Sequence, residues 1–229
     1  MGNYTSIVWD WNGTLLDDVQ LSLDIVNEIL TEQGIAALTV NRYKEIFDIP
    51  ASVYWERAGM DLQAIPFEAV SLAFCARFEQ RVHTAALFPG ARHVLHQLRQ
   101  RRIAQFLLSS TEHQALMRML MAFQLQDAFN GIHGMANTLA FGKFGGGRVL
   151  LDIYDLQRHR TVFIGDTTHD AEVASALGAA CILLSTGHQS RGRLVEAGCP
   201  VVDSCEELLQ ALAELDCQTK THCPTKTWS

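Results

Sequence analysis

The chain has 229 residues, of which 48% are apolar and 19% are charged, and its formal net charge at pH 7 is -7. This length allows one large domain, or one domain with an insertion, around a well-buried core. The negative charge argues against nucleic acid as a partner, because phosphate backbones are bound by clustered Lys and Arg. No apolar run reaches the roughly 18 residues of a membrane span, and no secretion signal is recognisable. We therefore expect a cytoplasmic protein without a membrane partner.

The stretch from Ile7 to Asp18 joins a short apolar run to a carboxylate, in the order Ile-Val-Trp-Asp-Trp-Asn-Gly-Thr-Leu-Leu-Asp-Asp. Its β-branched and aromatic residues are typical of a buried strand, and Gly13 allows the chain to turn sharply. Ligands of open parallel sheets collect at the carboxyl ends of the strands. Asp10 is therefore a candidate nucleophile, metal ligand or both, although an isolated Asp at a strand end is more often turn chemistry.

The residues that follow, 17–86, show helical periodicity and no convincing strand. Asp17 or Asp18 is predicted to cap the first helix, and Gly34 to end it. Pro66 suits the first residue of a later helix. This pattern predicts an all-helical cap that is inserted after the first strand.

From residue 87 onward, strand and helix patterns alternate. Strands are predicted at Ile103–Leu108, around Ile132, and at Thr161–Ile164, Ala180–Leu184 and Val201–Val202. Alternation of this kind indicates a parallel sheet with helices on both faces. The predicted fold is thus α/β, a Rossmann-like parallel sheet core (residues 1–16 and 87–215) with an inserted all-helical cap (17–86). A last helix is predicted to end at Leu215, and residues 216–229 are predicted to form a disordered tail.

Two further polar groups lie beside these strands. Ser109 follows an apolar run, and its hydroxyl can donate to a phosphate oxygen, although an isolated Ser there is more often a helix N-cap. Lys143 lies in the Gly-rich segment 142–147, which is predicted to be a loop. Its charge can neutralise a phosphate and a carboxylate, although an isolated loop lysine is usually solvated. The segment does not have the spacing of a Walker A loop.

The segment Gly165-Asp166-Thr-Thr-His-Asp170 follows another predicted strand. Asp166 stands at the strand tip and Asp170 about one helical turn later, so both carboxylates can face the same cation. Mg²⁺ prefers oxygen ligands of this kind, and His169 is a poor match for it. A capping Asp followed by an incidental one is the simpler explanation for this segment alone.

Together these segments resemble, in order and interval, the four motifs of the haloacid dehalogenase superfamily. The residues that carry the resemblance are Asp10 to Thr14, Ser109, Lys143, Asp166 and Asp170. The resemblance covers about residues 5–190, and the helical insertion resembles the small cap of the phosphoglycolate-phosphatase-like branch. It implies that Asp10 is the nucleophile and a Mg²⁺ ligand, and that Ser109 and Lys143 hold the phosphate. It also implies that Asp166 binds the metal with support from Asp170.

Position 12 departs from the family pattern. The family's phosphatases use a second Asp there as general acid and base, whereas this chain has Asn12, whose neutral amide cannot exchange that proton. The family's metal ligand at this position is the main-chain carbonyl, which Asn12 retains. The resemblance therefore implies a Mg²⁺-dependent phosphatase that acts on a small phosphorylated metabolite through an aspartyl-phosphate. Loss of the acid slows such a reaction by about 10² to 10⁴, unless Asp17 or Asp18 replaces it.

Three alternatives stay open. Asn12 favours a non-catalytic or regulatory module that binds Mg²⁺ and phosphate, whereas the four intact charged side chains oppose it. Phosphonoacetaldehyde-hydrolase-like cleavage of a C–P bond needs a cap lysine that forms a Schiff base, and Lys44 is the sole lysine in the predicted cap. Dehalogenation is disfavoured because the fourth motif keeps both of its Asp residues. The oligomeric state is not readable from the sequence.

Overall fold

The computed structural model describes residues 4–135 and 142–221, with side chains as far as residue 217. The strands are β1 Ser6–Trp9, β2 Leu16–Asp17, β3 Ala86–Leu87, β4 Ala104–Glu112, β5 Gly131–Met135, β6 Thr161–Gly165, β7 Ala180–Leu184 and β8 Val201–Val202. The helices are α1 Val19–Glu32, α2 Val40–Ile46, α3 Ala51–Arg57, α4 Phe67–Arg81, α5 Ala91–Gln100, α6 His113–Ala122, α7 Gly142–Ile153, α8 Thr168–Leu177, α9 Arg191–Val195 and α10 Leu208–Thr221. None of the helices in these two ranges has the length and apolar character needed to cross a bilayer.

Six strands form the main sheet in the order β5-β4-β1-β6-β7-β8, and all of its neighbouring pairs are parallel. Strand β1 lies near the middle, where Trp9 pairs with Leu107 of β4 and Ile164 of β6. Residues that follow these three strands therefore meet at one edge of the sheet. The predicted α/β fold with a parallel sheet is confirmed.

Both faces of the sheet are covered, because successive side chains of a strand point to opposite faces. Ile7 and Trp9 join the larger hydrophobic cluster, to which α5, α6 and α10 also contribute. Val8 points the other way, into a cluster with residues of α7, α8 and α9. The larger cluster continues without a break into the helical insertion, where it includes Tyr43 and Trp55.

The helical insertion consists of α1 to α4 and leaves the core through a short pair of strands. Leu16 pairs with Leu87 and Asp17 with Ala86 in the antiparallel β2–β3 pair. The expectation of no strand within 17–86 is therefore wrong at both ends, because two-residue strands are too short to show a periodicity. The pair places the outgoing and returning chains side by side.

The Gly-rich segment 142–147 is helical, so its prediction as a loop is wrong. Its glycines serve close packing. A Cβ on Gly146 would lie 2.7 Å from His133 Cδ2, and one on Gly147 would lie 2.8 Å from Leu177 Cδ1. Small residues thus allow α7 to approach the sheet and α8 closely, and this overrides the low helix propensity of glycine.

The last helix, α10, is longer than predicted. It continues to Thr221, so the prediction of a disordered tail that starts at residue 216 is wrong for residues 216–221. Asp216 accepts a hydrogen bond from the backbone N–H of Tyr4 at 3.2 Å, which joins this helix to the chain just before β1. Residues 222–229 lie outside the described part of the chain.

Candidate active site

Asp10 lies directly after β1, at the carboxyl edge of the sheet. Its backbone N–H donates to Ile164 O at 2.8 Å, which continues the pairing with β6 for one residue beyond the strand. The chain then turns at Gly13, whose φ is +69°. A Cβ at Gly13 would overlap the Asp166 carboxylate, so this position requires glycine both for its conformation and for its space.

Three carboxyl groups and one ammonium meet at this edge. Asp10, Asp166 and Asp170 each offer an oxygen that lies within 4.8 Å of the others. The Lys143 ammonium is 2.8 Å from Asp10 Oδ1 and also contacts Asp170 Oδ1. We call these four residues the carboxylate cluster. Its side chains are at most 12% exposed, so solvent screens their charges little.

The start of α8 orients Asp170. Thr167 is the N-cap residue and forms a capping box with Asp170. Asp170 Oδ2 accepts from Thr167 Oγ1 at 2.7 Å and from the backbone N–H groups of Thr167 and Asp166 at 3.1 and 3.2 Å. This leaves Asp170 Oδ1 for Lys143, which stands in the first turn of α7. Asp170 therefore connects a helix start to the ammonium group.

Asp166 is completely buried, and both of its oxygens accept hydrogen bonds. Oδ1 accepts from Thr14 Oγ1 at 3.1 Å, and Oδ2 accepts from the backbone N–H of His188 at 2.6 Å. The loops after β1 and β7 thus fix the carboxylate that follows β6.

The cluster holds more negative charge than Lys143 balances. Burial, strengthened by the neighbouring carboxylates, raises the pKa of Asp10 to about 7 and that of Asp166 to about 6. Burial also opposes ionisation of Asp170, but the Lys143 ammonium outweighs it and lowers the pKa of Asp170. The two carboxylates in turn raise the pKa of Lys143 against the effect of burial.

A hard divalent cation fits this cluster. Carboxylate oxygens are the ligands that Mg²⁺ prefers, and the raised pKa values of Asp10 and Asp166 show that a further positive charge would be favourable there. Soft ligands such as Cys or His do not belong to this group of described residues.

Asn12 lies next to this cluster in a chain of hydrogen bonds. Its Oδ1 accepts from Thr111 Oγ1 at 2.9 Å, and its Nδ2 donates to Asp18 Oδ2 at 2.9 Å. Asp18 Oδ1 lies 3.4 Å from His188 Nε2, and His188 Nδ1 is 2.9 Å from the Tyr43 hydroxyl. We call these five residues the amide network. It joins the ends of β1, β4 and β7 to cap helices α1 and α2.

Asp18 occupies the N-cap position of α1, but its side chain makes no capping hydrogen bond. The predicted N-cap position is therefore confirmed for Asp18, but its side chain does not cap the helix, because the carboxylate turns back toward the loop after β1. There it accepts from the Gly13 N–H at 2.8 Å and from the Asn12 amide. These contacts explain why a buried carboxylate is tolerated at this point.

Asp18 and His188 form a buried ion pair. Burial opposes the charge of each group. The His188 ring and the Asn12 and Gly13 hydrogen bonds nevertheless lower the pKa of Asp18, and Asp18 raises that of His188 to about 9. The amide network thus contains one carboxylate and one imidazolium at neutral pH.

Ser109 lies at the same edge, two residues beyond Leu107, which pairs with Trp9. It is 2% exposed, and its Oγ accepts from the backbone N–H of Thr111 at 3.1 Å. An acceptor role leaves the hydroxyl hydrogen for a ligand. Strand β4 continues through this point, with a shift of register between Leu108 and Glu112.

The cap lies against the core over this edge. Lys44 of α2 donates to the carbonyls of Ser185 and Thr186 at 3.4 and 3.0 Å. The Phe47 ring stacks on His188 with a centroid distance of 4.9 Å. The Arg193 guanidinium of α9 donates a hydrogen bond to the main-chain carbonyl of Phe47. These contacts hold the segment after α2 against the loop that follows β7.

Residues 7–184 match the family described as haloacid dehalogenase-like hydrolase. The chain belongs to this family. It is 27% identical over 220 residues to a phosphoglycolate phosphatase from Synechococcus elongatus, covering 92% of this chain and 98% of the relative. It is 25% identical over 219 residues to a phosphoglycolate phosphatase from Pseudomonas putida, covering 91% and 79%. The crystal structure of a hydrolase from Pseudomonas syringae, at 22% identity, superposes with a TM-score of 0.72 over 92% of this chain and 99% of that one.

The family match and these relatives confirm two predictions, that the chain belongs to the haloacid dehalogenase superfamily and that it is a hydrolase of the phosphatase type. Of the predicted site residues of this haloacid dehalogenase-like chain, the structure brings four together as the carboxylate cluster. The other two, Asn12 and Ser109, lie at the same edge and both contact Thr111.

Four residues that received no role from the sequence contact the predicted site. Thr14, Thr111 and Thr167 do so through their side chains, and His188 through its backbone N–H. The sequence does contain a signal for His188. The polar run from Ser185 to Gln189 directly follows a buried strand of the same sheet, so it reaches the same edge. A Cβ at Gly187 would overlap Asp166, which explains the glycine in this run.

Proposed function

We propose that this haloacid dehalogenase-like protein is a Mg²⁺-dependent phosphatase that hydrolyses a small phosphorylated metabolite through an aspartyl-phosphate on Asp10. The observation that carries the proposal is the carboxylate cluster. A nucleophilic carboxylate at the tip of β1 contacts a buried ammonium and lies within 4.8 Å of two further carboxylates. A dianionic phosphate could not approach three carboxylates without such a positive charge.

Each residue of the site has a separate role in this proposal. An Asp10 oxygen forms a bond to phosphorus while the bond to the ester oxygen breaks, and water then hydrolyses the acyl phosphate and regenerates the carboxylate. Lys143 holds Asp10 in place, and it neutralises charge on the phosphoryl group together with the hydroxyl hydrogen of Ser109. Asp10, Asp166 and the main-chain carbonyl of Asn12 would hold Mg²⁺, with Asp170 in support. When bound, the ion screens the nucleophile from the phosphate oxygens.

We propose slow turnover for esters with poor leaving groups. The leaving oxygen needs a proton, and the Asn12 amide has none to transfer. Asp18 does not replace the acid, because its lowered pKa keeps it ionised at neutral pH. General acid and base catalysis contributes about 10² to 10⁴ to such rates, so activated esters should be hydrolysed disproportionately well.

The cap limits the size of the substrate. It lies against the carboxyl edge of the sheet through Lys44, Phe47 and Tyr43, so a bulky ester would have to displace these contacts. Relatives named phosphoglycolate phosphatase make 2-phosphoglycolate the first compound to test on this chain.

The test is phosphate release from 2-phosphoglycolate, other small phosphomonoesters and an aryl phosphate, with and without Mg²⁺. Release should require Mg²⁺ and should fall at least about 10³-fold in Asp10→Asn. Acid-quenched protein should gain the mass of one phosphoryl group on a peptide containing Asp10. Asp152→Asn, which removes an exposed carboxylate of α7, is the matched control and should retain full activity. Equal rates in Asp10→Asn and the unaltered protein would contradict the proposal.

A second candidate is a module that binds Mg²⁺ and phosphate without turnover. The observation in its favour is Asn12, which is held by hydrogen bonds and has no transferable proton. For this candidate, phosphate and Mg²⁺ should stabilise the protein together while no ester, activated or not, is hydrolysed. Cleavage of a C–P bond is not favoured, since the Lys44 ammonium donates hydrogen bonds to the carbonyls of Ser185 and Thr186 in the loop after β7.

A further inference from the structure

We propose that Asp18 is a positioning residue that fixes the orientation of the Asn12 amide, so that Asn12 serves as a hydrogen-bond donor to the phosphoryl group. This inference rests on the proposed phosphatase function and deepens it. It assigns a use to the residue that replaces the general acid, and it implies that Asn12 and Asp18 function only as a pair.

The hydrogen-bond partners of Asn12 leave it one orientation. The Asp18 carboxylate can only accept, so Asn12 must turn its Nδ2 toward it, at 2.9 Å. The Thr111 hydroxyl then donates to Asn12 Oδ1, also at 2.9 Å. Rotation of the amide by half a turn would place its oxygen against the carboxylate. The Asp18 carboxylate thus excludes the alternative, whereas the Thr111 hydroxyl can donate or accept and adapts to the orientation that Asp18 sets.

Asp18 is itself held firmly. It is 1% exposed, and its Oδ1 accepts from the Gly13 N–H at 2.8 Å and lies 3.4 Å from His188 Nε2. Ser22 Oγ contributes a longer hydrogen bond of 3.4 Å to Oδ2. A carboxylate with this many donors does not follow a neighbouring side chain that moves. It therefore acts as a fixed reference for Asn12.

The Asn12 amide keeps one N–H for a ligand. Among the described contacts, Nδ2 has a single acceptor, the Asp18 carboxylate, whereas an amide nitrogen carries two hydrogens. Asn12 stands two residues after Asp10 and is partly exposed, so a phosphoryl group on Asp10 would lie within reach of this side chain. Pre-oriented donors of this kind stabilise the charge that develops in a transition state.

A carboxylate at position 12 would conflict with this arrangement. Asn12→Asp would place a second carboxyl group 2.9 Å from that of Asp18, at the separation of the present hydrogen bond, with Lys143 already shared between Asp10 and Asp170. Like charges so close repel strongly, so the two groups must separate or hold one proton between them, and in neither arrangement is position 12 free to deliver a proton. Restoring the family's Asp alone should therefore not restore its function.

Exchanging the two residues tests the pairing. The Asn12→Asp/Asp18→Asn double variant recreates a carboxylate and an amide in contact, with the acid at position 12. We expect kcat for 2-phosphoglycolate or an aryl phosphate at or below that of the unaltered protein in Asn12→Asp, and about tenfold lower in Asp18→Asn. In the double variant kcat should rise at least about tenfold above the unaltered protein, because general acid catalysis returns. KM should rise in Asp18→Asn and recover in the double variant.

A matched control separates pairing from a general loss of charge. Asp17→Asn removes the adjacent, exposed carboxylate, which has no described hydrogen bond to Asn12. The Asn12→Asp/Asp17→Asn variant should remain as impaired as Asn12→Asp. Thermal unfolding should show the same pattern without any substrate. Asn12→Asp should lower Tm, and only the Asp18→Asn exchange should restore it.

Each outcome decides the proposal. A rise of kcat in Asn12→Asp that equals that of the double variant would overturn it, as would a double variant without turnover. The proposed phosphatase function is judged separately, by Mg²⁺ dependence and by phosphorylation of Asp10 in the unaltered protein. Failure of the exchange with intact phosphorylation of Asp10 would therefore remove the positioning role of Asp18 alone.

Discussion

The two parts of the site differ in how they balance charge. The carboxylate cluster sets three carboxyl groups against one ammonium, and the pKa of Asp10 rises to about 7 as a result. The amide network pairs one carboxylate with one imidazolium, and hydrogen bonds join its members to one another, with one N–H of the Asn12 amide left for a ligand. The first part is therefore arranged to receive a cation and a reacting group. The second part is balanced in charge and holds its members in place.

This difference identifies which residues belong to the reaction and which prepare it. Unbalanced buried charge lowers stability and is kept where function needs it. Balanced buried charge with extensive hydrogen bonding gives a defined geometry instead. Asn12 belongs to the balanced part, although its position along the chain, two residues after Asp10, suggests a reacting group.

Among variants that keep the Asp10 nucleophile, the largest expected effect is that of Lys143→Met, which removes the cation of the carboxylate cluster. The variant should lose about 10² to 10³ in kcat, because a positioned charge beside the phosphoryl group is lost. It should also unfold with a free energy lower by about 3 kcal/mol, because two buried carboxylates lose their partner. Phosphate release and urea unfolding measure the two effects.

Arg148→Met is the matched control for this variant. Arg148 lies on the same helix, is 68% exposed, and is 3.8 Å from Asp152. Exposed pairs contribute about 0 to 1 kcal/mol, so this control should change neither rate nor stability measurably. If Lys143→Met kept the rate and the stability of Arg148→Met, the charges of the carboxylate cluster would be balanced without the ammonium.

A second effect concerns pH. The folded-state pKa values of Asp10, about 7, and Asp166, about 6, lie above the ordinary value of 3.8. The folded state thus holds protons that the unfolded state has released, so the contribution of these groups to stability is greatest below about pH 4 and is lost as pH rises from about 4 to about 7. Mg²⁺ should offset this loss, so it should raise Tm more at about pH 7.5 than at about pH 5.

The Asp10→Asn variant sharpens this prediction. Without the Asp10 carboxyl group, the fall of Tm between about pH 5 and pH 7.5 should become shallower, and Mg²⁺ should stabilise the protein less. The pKa of Asp18 is lowered, so its contribution is lost only at more acidic pH and does not enter this interval. Equal stabilisation by Mg²⁺ at both pH values would show that the ion does not bind to Asp10 and Asp166.

The sequence predicts the carboxylate cluster better than the amide network, for a physical reason. Asp10 and Asp166 follow buried strands, and strand ends of a parallel sheet must meet at one edge. Asp18 gives no such signal, since its position before a helix predicts a cap and only the folded loop turns it toward Asn12. His188 comes from a loop far along the chain, and its partner Tyr43 lies in the cap.

The fold shows the same division. Long buried strands and amphipathic helices are predictable, because their periodicity extends over several turns or residues. The β2–β3 pair is too short for this. The segment 142–147 contains glycines that favour a loop, and its helix depends on close packing with His133 and Leu177, which no local pattern contains.

The smallest expected effect is that of Arg193→Leu, which alters contacts between the cap and the amide network and leaves the carboxylate cluster unchanged. Arg193 donates to Phe47 O and lies 3.1 Å from Asp48, and Phe47 stacks on His188 of the amide network. Arg193→Leu removes a charged hydrogen bond worth about 1 to 3 kcal/mol, so hydrogen exchange at residues 43–48 should become faster. KM should rise by roughly two- to tenfold.

The stabilisation by Mg²⁺ should stay unchanged in Arg193→Leu, because none of the hydrogen bonds or ion pairs described for the carboxylate cluster reaches residues 43–48. Arg191→Leu is the control, since Arg191 pairs with Asp203 at 3.5 Å on the exposed side of the same helix and should leave KM as it is. If Arg193→Leu weakened Mg²⁺ binding as much as substrate binding, the two parts would form one coupled unit through His188, whose N–H contacts Asp166. An unchanged Mg²⁺ response together with a raised KM would show that the cap contacts affect substrate binding through the amide network and do not affect the carboxylate cluster.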